Sequence, residues 1–190
     1  MKTGPPARPR TLALALAAGA LLLVLAFGAW AFNPGPRWRV APTQQADGNV
    51  LFDGDPVPAT DTEAMNDVLV AGAVLEWRGF GDLELLSPGH ALLVVAPGTA
   101  LTLPAPPPRW FGRTSRARLA EGTLRFVPGP RFQGARLVVE TPDRAIVTRG
   151  GAIEVSHDPA AGTRVDSTGA ALQEFVRTRS TGSGPESTRP

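Results

Sequence analysis

Residues 116–129 read RARLAEGTLRFVPG, and this stretch decides the fold class of the chain. Arg116 and Arg118 alternate with small or apolar residues, and after Gly122 the order Leu-Arg-Phe repeats the alternation. A period of two with one charged face is typical of a β-strand that is buried on one side. The stretch ends in a Pro-Gly pair, which favours a type II turn.

Comparable apolar runs occur throughout the region from Val68 to Arg177, and none of them keeps the helical period over a useful length. Turn residues separate the runs at the spacing expected of short strands. These turn signals are Pro88-Gly89, Pro97-Gly98, Glu121-Gly122, Pro128-Gly129, Pro142-Asp143, Gly150-Gly151 and Ala161-Gly162. We therefore predict an all-β domain over residues 68–178, with the architecture of an antiparallel sandwich, a roll or a short β-solenoid.

The segments on either side of this domain have a different composition. Residues 33–67 are rich in Pro, Gly and Asp, and we predict a linker there, with at most a short strand at residues 50–52. Thr60-x-x-Glu63 has the spacing of a capping box and predicts a single helical turn. Residues 179–190, RSTGSGPESTRP, have nothing to bury, so we predict a disordered tail.

Residues 11–32 form an uncharged run of twenty-two residues close to the N-terminus. At about 1.5 Å per residue a helix of this length spans about 33 Å, enough for a hydrocarbon core of about 30 Å. We predict one N-terminal transmembrane helix here, preceded by a cytoplasmic stub at residues 1–10. The alternative is a cleaved signal peptide, because Ala29-Trp30-Ala31 resembles a cleavage site. The apolar h-region of a signal peptide is usually about 7–15 residues long, and this run exceeds that length, which favours a retained anchor.

The orientation of the span follows from the basic residues at its two ends. Three of them precede the run (Lys2, Arg8 and Arg10), and two follow it closely (Arg37 and Arg39). The positive-inside rule then places the N-terminus in the cytoplasm and the main domain outside it, so we expect a single-pass protein of the inner cell membrane with a periplasmic domain. The chain has no cysteine, so the domain must fold without disulfides.

The charge balance bears on the kind of partner. Three of the 19 basic residues precede the apolar run, which leaves 16 basic and 17 acidic residues beyond it. A nucleic-acid-binding surface needs a basic excess, so we expect no nucleic-acid partner. The charges are unevenly placed, with nine acids and Arg78 in residues 47–84, and nine arginines and three acids in residues 109–149. They form either two solvated faces or a bipolar surface that orients a partner.

The sequence offers no constellation of residues that would support catalysis. His90 in a Pro-Gly turn and His157 at a strand end are predicted to be solvated, and neither has the surrounding ligands that a metal site requires. Without cysteine there is no thiolate chemistry, and neither a G-x-S-x-G motif nor a phosphate-binding glycine loop is found. We therefore expect that the protein is not an enzyme and has no cofactor, no metal and no small-molecule substrate.

One segment has the composition of a binding surface. In residues 104–115, PAPPPRWFGRTS, the candidate contact residues are Arg109, Trp110, Phe111 and Arg113. The preceding prolines favour a stiff, extended approach, and Trp and Arg are enriched in interface hot spots. The alternative is that Trp110 folds back and closes an open end of the β-domain.

Three stretches resemble the FecR-type periplasmic sensor and regulator domains. They are SPGHALLVVAPGTALTL at 87–103, RARLAEGTLRFVPG at 116–129, and the closing run from Ala135 to Phe175. The resemblance implies a β-domain that receives a signal outside the inner membrane, whereas the cytoplasmic part of such proteins controls an alternative sigma factor. Residues 1–10 are too few for that part, so the chain resembles the sensor module alone.

These observations lead to one functional hypothesis and one alternative. We expect a membrane-anchored periplasmic sensing or binding module, an accessory in transmembrane signalling that affects a sigma factor through an envelope or inner-membrane protein partner. The alternative is a structural scaffold protein of the envelope without a signalling role.

We predict that the apolar run is retained in the mature protein, because it is long enough to span the bilayer. N-terminal sequencing of the protein extracted from membranes should therefore detect residues that precede Thr11. A sequence that begins at Phe32 would instead demonstrate cleavage.

Overall fold

The computed structural model describes residues 9–32, 37–107 and 112–176. It begins with helix α1, Pro9–Phe32, whose side chains are described from Ala17 to Gly28. Over the described parts of the chain, no helix is both long enough and apolar enough to cross a membrane. The predicted tail, and all but two residues of the predicted stub, lie outside the described residues.

The remaining described residues are mainly β-strands. The strands are β1 (Arg39–Val40), β2 (Asp47–Phe52), β3 (Asp55–Pro58), β4 (Val74–Phe80), β5 (Leu83–Ser87), β6 (Ala91–Val95), β7 (Ala100–Thr102), β8 (Thr114–Pro128), β9 (Arg136–Glu140), β10 (Arg144–Arg149), β11 (Ala152–Asp158), β12 (Gly162–Thr168) and β13 (Ala171–Val176). Helix α2 (Thr62–Val68) lies between β3 and β4, and a 3-10 helix (Pro130–Phe132) follows β8.

The strands form one curled, mainly antiparallel sheet with the shape of a half-barrel, and strand β8 belongs to both of its walls. The first wall has the order β1-β5-β6-β8-β11-β12. The second wall has the order β3-β2-β4-β7-β8-β9-β10-β13. Among the described strands, only β8 and β9 pair in parallel. The prediction of an all-β fold is confirmed.

Strand β8 can serve both walls because it changes partners at Gly122. The part before Gly122 pairs with β7 and β9, and the part that begins there pairs with β6 and β11. Gly122 has a φ of +91°, and a Cβ atom at this position would lie 2.5 Å from Thr99 Cα, so only glycine fits. The sequence predicts a turn at Glu121-Gly122, whereas the structure has a bulge and a corner inside one strand of 15 residues.

The strand directions define two ends of the β-domain. We call the end where the chain enters, at Arg37–Arg39, the tether end; it also carries the turn at residues 87–90 and the turn at 150–151. The opposite end, which we call the far end, carries the Gly122 corner and the turn at residues 159–161. Because β8 bends back, residues just before it and just after it meet at the tether end, where Arg113 Nη2 donates to Arg131 O at 2.8 Å.

The structure differs from the sequence prediction over residues 33–67. In place of a linker, the described part of this segment contributes β1, β2, β3 and most of α2. Four of its large side chains belong to the core, namely Trp38, Val50, Phe52 and Met65, as does Leu69 just after it. Strand β2 pairs with β4 along its whole length, from Asp47↔Phe80 to Phe52↔Leu75. The prolines of β3 are tolerated because this strand lies at the edge of the sheet.

Helix α2 is longer than the single turn that the sequence predicts, and it begins one residue later. Its N-cap is Asp61, whose Oδ1 accepts a hydrogen bond from Ala64 N at 3.1 Å. The side chain of Asn66 also accepts a hydrogen bond from Val40 N at 2.9 Å, so α2 covers the exposed edge of β1. This contact ties residues 37–41 to the rest of the domain.

We predict that Trp38→Ala destabilises the β-domain by about 3–5 kcal/mol, since it removes a large buried side chain. Trp38 is only 2 % exposed, and its Nε1 donates to Pro104 O at 2.7 Å. Urea unfolding should detect the change. The control is Phe80→Ala, at a side chain that is 84 % exposed, and it should change stability by no more than about 0.5 kcal/mol. Equal stability of the two variants would show that Trp38 belongs to a linker.

Candidate functional site

The predicted contact segment begins at the tether end with residues 104–107, which are attached to the core. Arg109, Trp110 and Phe111 lie outside the described residues, so neither the contact prediction nor the alternative for Trp110 is tested. The stem before them is buried at Pro104, Pro106 and Pro107. Trp38 Nε1 donates to Pro104 O at 2.7 Å, and Ser115 Oγ donates to Ala105 O at 2.6 Å, so the two ends of the loop are fixed to the core.

Arg113 is the one predicted contact residue that the structure describes. Its guanidinium donates to Arg131 O at 2.8 Å, and its own carbonyl accepts a hydrogen bond from Arg136 N at 2.8 Å. Its Nε is buried and has no hydrogen-bond partner among the described residues. Arg113 is therefore fixed against the end of β8 and the start of β9, and it is only partly available to a partner.

Both histidines differ from their prediction as solvated turn residues. His90 is 9 % exposed and His157 is 7 % exposed. His157 is buried because the tight hairpin between β11 and β12 pairs it directly with Thr163. His157 Nδ1 lies 2.9 Å from Thr163 Oγ1 and 3.5 Å from Asp143 Oδ1. The sequence did not indicate this cluster.

The cluster at the far end joins two hairpins by polar side chains. Thr141 Oγ1 donates to Asp143 Oδ1 at 2.8 Å, and the hydroxyl of Thr163 donates to the same carboxylate oxygen. The other carboxylate oxygen accepts hydrogen bonds from Arg144 Nε at 3.2 Å and from Thr163 N at 3.3 Å. Thr141 and Asp143 belong to the turn between β9 and β10, whereas His157 and Thr163 belong to the β11–β12 hairpin. The cluster therefore clasps the second wall to the first.

The protonation of the cluster follows from the acceptor at its centre. Partial burial raises the pKa of Asp143, but the hydrogen bonds from Thr163, Thr141 and Arg144 outweigh it and hold the pKa of Asp143 well below its usual range. The ionised carboxylate can only accept, so both threonine hydroxyls donate to it. The one hydroxyl proton of Thr163 is donated to Asp143, so Thr163 Oγ1 can only accept a hydrogen bond from His157. We therefore assign the proton of His157 to Nδ1.

This geometry describes a structural clasp and differs from a nucleophile activated by a base. In such an activated pair the histidine nitrogen accepts the proton of the hydroxyl, whereas with the proton assigned to Nδ1 His157 donates to that oxygen. Among the described residues, no group of three or more His, Asp or Glu side chains could hold a metal ion.

Two open clefts lie on either side of the clasp at the far end. The first has a volume of about 510 Å³, and its polar lining consists of Glu121, Thr123, Ser156, His157, Asp158 and Arg164. The second has a volume of about 610 Å³ and is lined by Pro142, Asp143, His157 and Pro159, with small residues around them. The wall that the clefts share is the β11–β12 turn. Asp158 Oδ1 fixes this turn by accepting from Ala160 N at 2.7 Å and Ala161 N at 2.9 Å, and these bonds lower the pKa of Asp158.

Comparison with known families, with curated proteins and with solved structures finds no match to this chain.

We predict that Asp143→Asn lowers the free energy of unfolding at pH 7 and makes that free energy depend less on pH in the acid range. The pKa of Asp143 is lower in the folded state than in the unfolded state, so its carboxylate stabilises the fold above about pH 4. That stabilisation is lost as the pH falls through the folded-state pKa. Urea unfolding at pH 7 and below pH 4 should show a deficit of the variant that shrinks with acid.

The control for this experiment is Glu154→Gln, at an exposed carboxylate on β11. It should leave stability nearly unchanged at both pH values, since surface substitutions of this kind have small effects. A deficit of Asp143→Asn that stays constant with pH would contradict the assignment of an ionised carboxylate at the centre of the clasp.

Proposed function

We propose that this protein is a membrane-anchored module that binds or senses an envelope protein outside the cytoplasm, as an accessory in transmembrane signalling. It would affect a sigma factor through a second membrane protein, as the resemblance to FecR-type domains implies. The observation that carries the proposal is the opposition of the two ends: the chain enters the β-domain at one end, and the clefts open at the other.

Helix α1 supports the anchoring part of the proposal. The side chains from Leu21 to Leu25 are 59–73 % exposed, and Phe27 is 56 % exposed. Five consecutive positions point in all directions around a helix, since each turns by about 100°. An apolar surface on every side is typical of a helix surrounded by lipid or by protein.

The short connection between α1 and the β-domain supports the proposal that the tether end faces the membrane. Only five residues lie between Phe32 and the buried Trp38, and the six steps from Cα to Cα, at about 3.3 Å each, span at most about 20 Å. A domain held by so short a connection keeps its tether end towards the anchor. The clefts at the far end then face away from the membrane, where another envelope protein can reach them.

The lining of the first cleft supports a protein partner. Small-molecule sites are enclosed and mostly apolar, whereas this cleft is open and carries Glu121, Asp158 and Arg164 around its rim. Charged groups at such a rim favour selection and orientation of a polypeptide that carries the complementary pattern.

We predict that exchanging the charges Glu121→Lys and Arg164→Glu together abolishes signalling without loss of protein. Both side chains are exposed, so stability should change by less than about 1 kcal/mol. The measurement is the transcript profile of the producing cell, which should match that of a strain lacking the protein. The matched control is Arg125→Glu with Glu154→Lys, an exchange between two exposed cross-strand partners, and it should behave as the wild type.

The structural-scaffold alternative gives a different result in this experiment. If the protein only supports the envelope, its removal should weaken the resistance of the envelope to detergent while the transcripts of any sigma-dependent genes stay unchanged. That outcome would overturn the proposed signalling role.

A further inference from the structure

We propose that the tether end of the β-domain docks onto the anionic lipid headgroups of the same membrane, through a cluster of arginines. This inference rests on the proposed anchoring by α1. The cluster, which we call the arginine pole, consists of Arg39, Arg113, Arg131, Arg136 and Arg149.

The strand register brings these five residues to one end of the domain. Arg39 pairs with Leu86 near the end of β5, and Arg131 follows the end of β8. Arg136 pairs with Thr114 at the start of β8, and Arg149 ends β10, on the neighbouring strand. Residues that lie up to 110 positions apart in the chain therefore share one surface. This placement depends on the bend of β8, which brings Arg113 and Arg131 together.

Hydrogen bonds to main-chain atoms place three residues of the pole, Arg113, Arg131 and Arg136, next to one another. Arg113 Nη2 donates to Arg131 O, and Arg136 N donates to Arg113 O, each at 2.8 Å. None of the five forms an ion pair with a described residue, whereas Arg78, Arg116, Arg118 and Arg144 each pair with an acid. All of the pole except Arg113 is exposed. Clustered positive charges that lack acidic partners repel one another, and an external anion relieves that repulsion.

Acidic residues lie at both ends of the domain. Glu121, Asp143 and Asp158 surround the clefts at the far end. At or near the tether end, Asp53 and Asp55 flank the β2–β3 turn, and Asp67 follows Asn66, whose side chain contacts β1. Glu154, paired with Asp166, lies close to the start of β11. None of these acids forms an ion pair with an arginine of the pole among the described residues.

The short connection to α1 identifies the anion. With at most about 20 Å between Phe32 and Trp38, the arginine pole stays near the bilayer surface. Arginine binds phosphate groups by paired hydrogen bonds, and its charge is attracted by anionic lipids over about one Debye length, about 8 Å at physiological salt. Each arginine close to such a surface changes the ratio of docked to undocked domain by about fivefold.

The experiment uses the full chain in lipid vesicles. The protein has no cysteine, so Gln133→Cys, at an exposed position between Arg131 and Arg136, takes a single fluorescent label. The vesicles contain either phosphatidylcholine alone or phosphatidylcholine with about 30 % of the anionic lipid phosphatidylglycerol. A nitroxide attached to a lipid headgroup quenches a label that comes close to the membrane surface. We expect strong quenching only with the anionic lipid, and release by about 0.5 M salt because the attraction is screened.

Substitutions then test the arginine pole directly. Arg131→Gln, Arg136→Gln and Arg149→Gln together should lower the docked-to-undocked ratio by about a hundredfold, so that quenching in anionic vesicles falls to the level seen in neutral ones. The matched control replaces Arg78, Arg118 and Arg164 by Gln, which changes the net charge equally and should leave quenching unchanged. A label at Asp82→Cys, at the far end, should not be quenched in either lipid.

Flotation of neutral vesicles in high salt separates this inference from the anchoring. If the protein does not float with them, the anchoring is wrong and the inference falls with it. If it floats, but the label at residue 133 is quenched equally in neutral and anionic vesicles or is unaffected by the triple arginine substitution, anchoring stands and the docking is overturned.

Discussion

The close approach of Gly122 to Thr99 is the constraint on which the rest of the structure depends. A side chain at position 122 would overlap the backbone of Thr99, and φ of +91° is unfavourable for other residues. Thr99 Oγ1 accepts from Thr123 N at 2.9 Å and donates to Thr123 O at 3.1 Å, so the corner is held from both sides. Because β8 bends there, one strand carries both walls, the sheet curls around a single core, and residues before and after the strand meet at the tether end.

Local alternation predicts the strands but leaves their partners open. The pattern of residues 116–129 identifies β8 correctly, yet the corner at Gly122 looks like an ordinary turn, because its geometry is set by Thr99, a distant residue just before β7. The sequence pattern of residues 33–67 predicts a linker, and this prediction differs from the structure for a related reason. Trp38 and Val50 are isolated apolar residues in a Pro- and Gly-rich context, and only their distant partners, Pro104 and the strand β4, show that they are core.

The far-end cluster could be predicted in part. A hairpin with its turn at Ala161-Gly162 brings His157 opposite Thr163 by register alone. The sequence was therefore sufficient to predict this pair. The place of Asp143 in the cluster could not be predicted from the sequence. Its position beside Thr163 depends on how the β9–β10 turn of one wall meets the β11–β12 hairpin of the other wall. For the predicted contact segment, residue type suggested the candidates, but the burial of its proline stem against Trp38 could be known only from the fold.

The two ends of the domain differ in their surfaces, and one strand connects them. The open clefts and the clasp lie at the corner of β8, while four exposed arginines, Arg39, Arg131, Arg136 and Arg149, lie at the tether end. In the proposed anchoring, the short connection to α1 would keep the tether end towards the bilayer but leave the domain free to tilt. In the proposed docking, the arginine pole would limit that tilt when anionic lipid is present, because tilting would take the arginines away from the phosphates. The same charge arrangement would then keep the clefts directed outward, so membrane contact and partner binding need not compete for one surface.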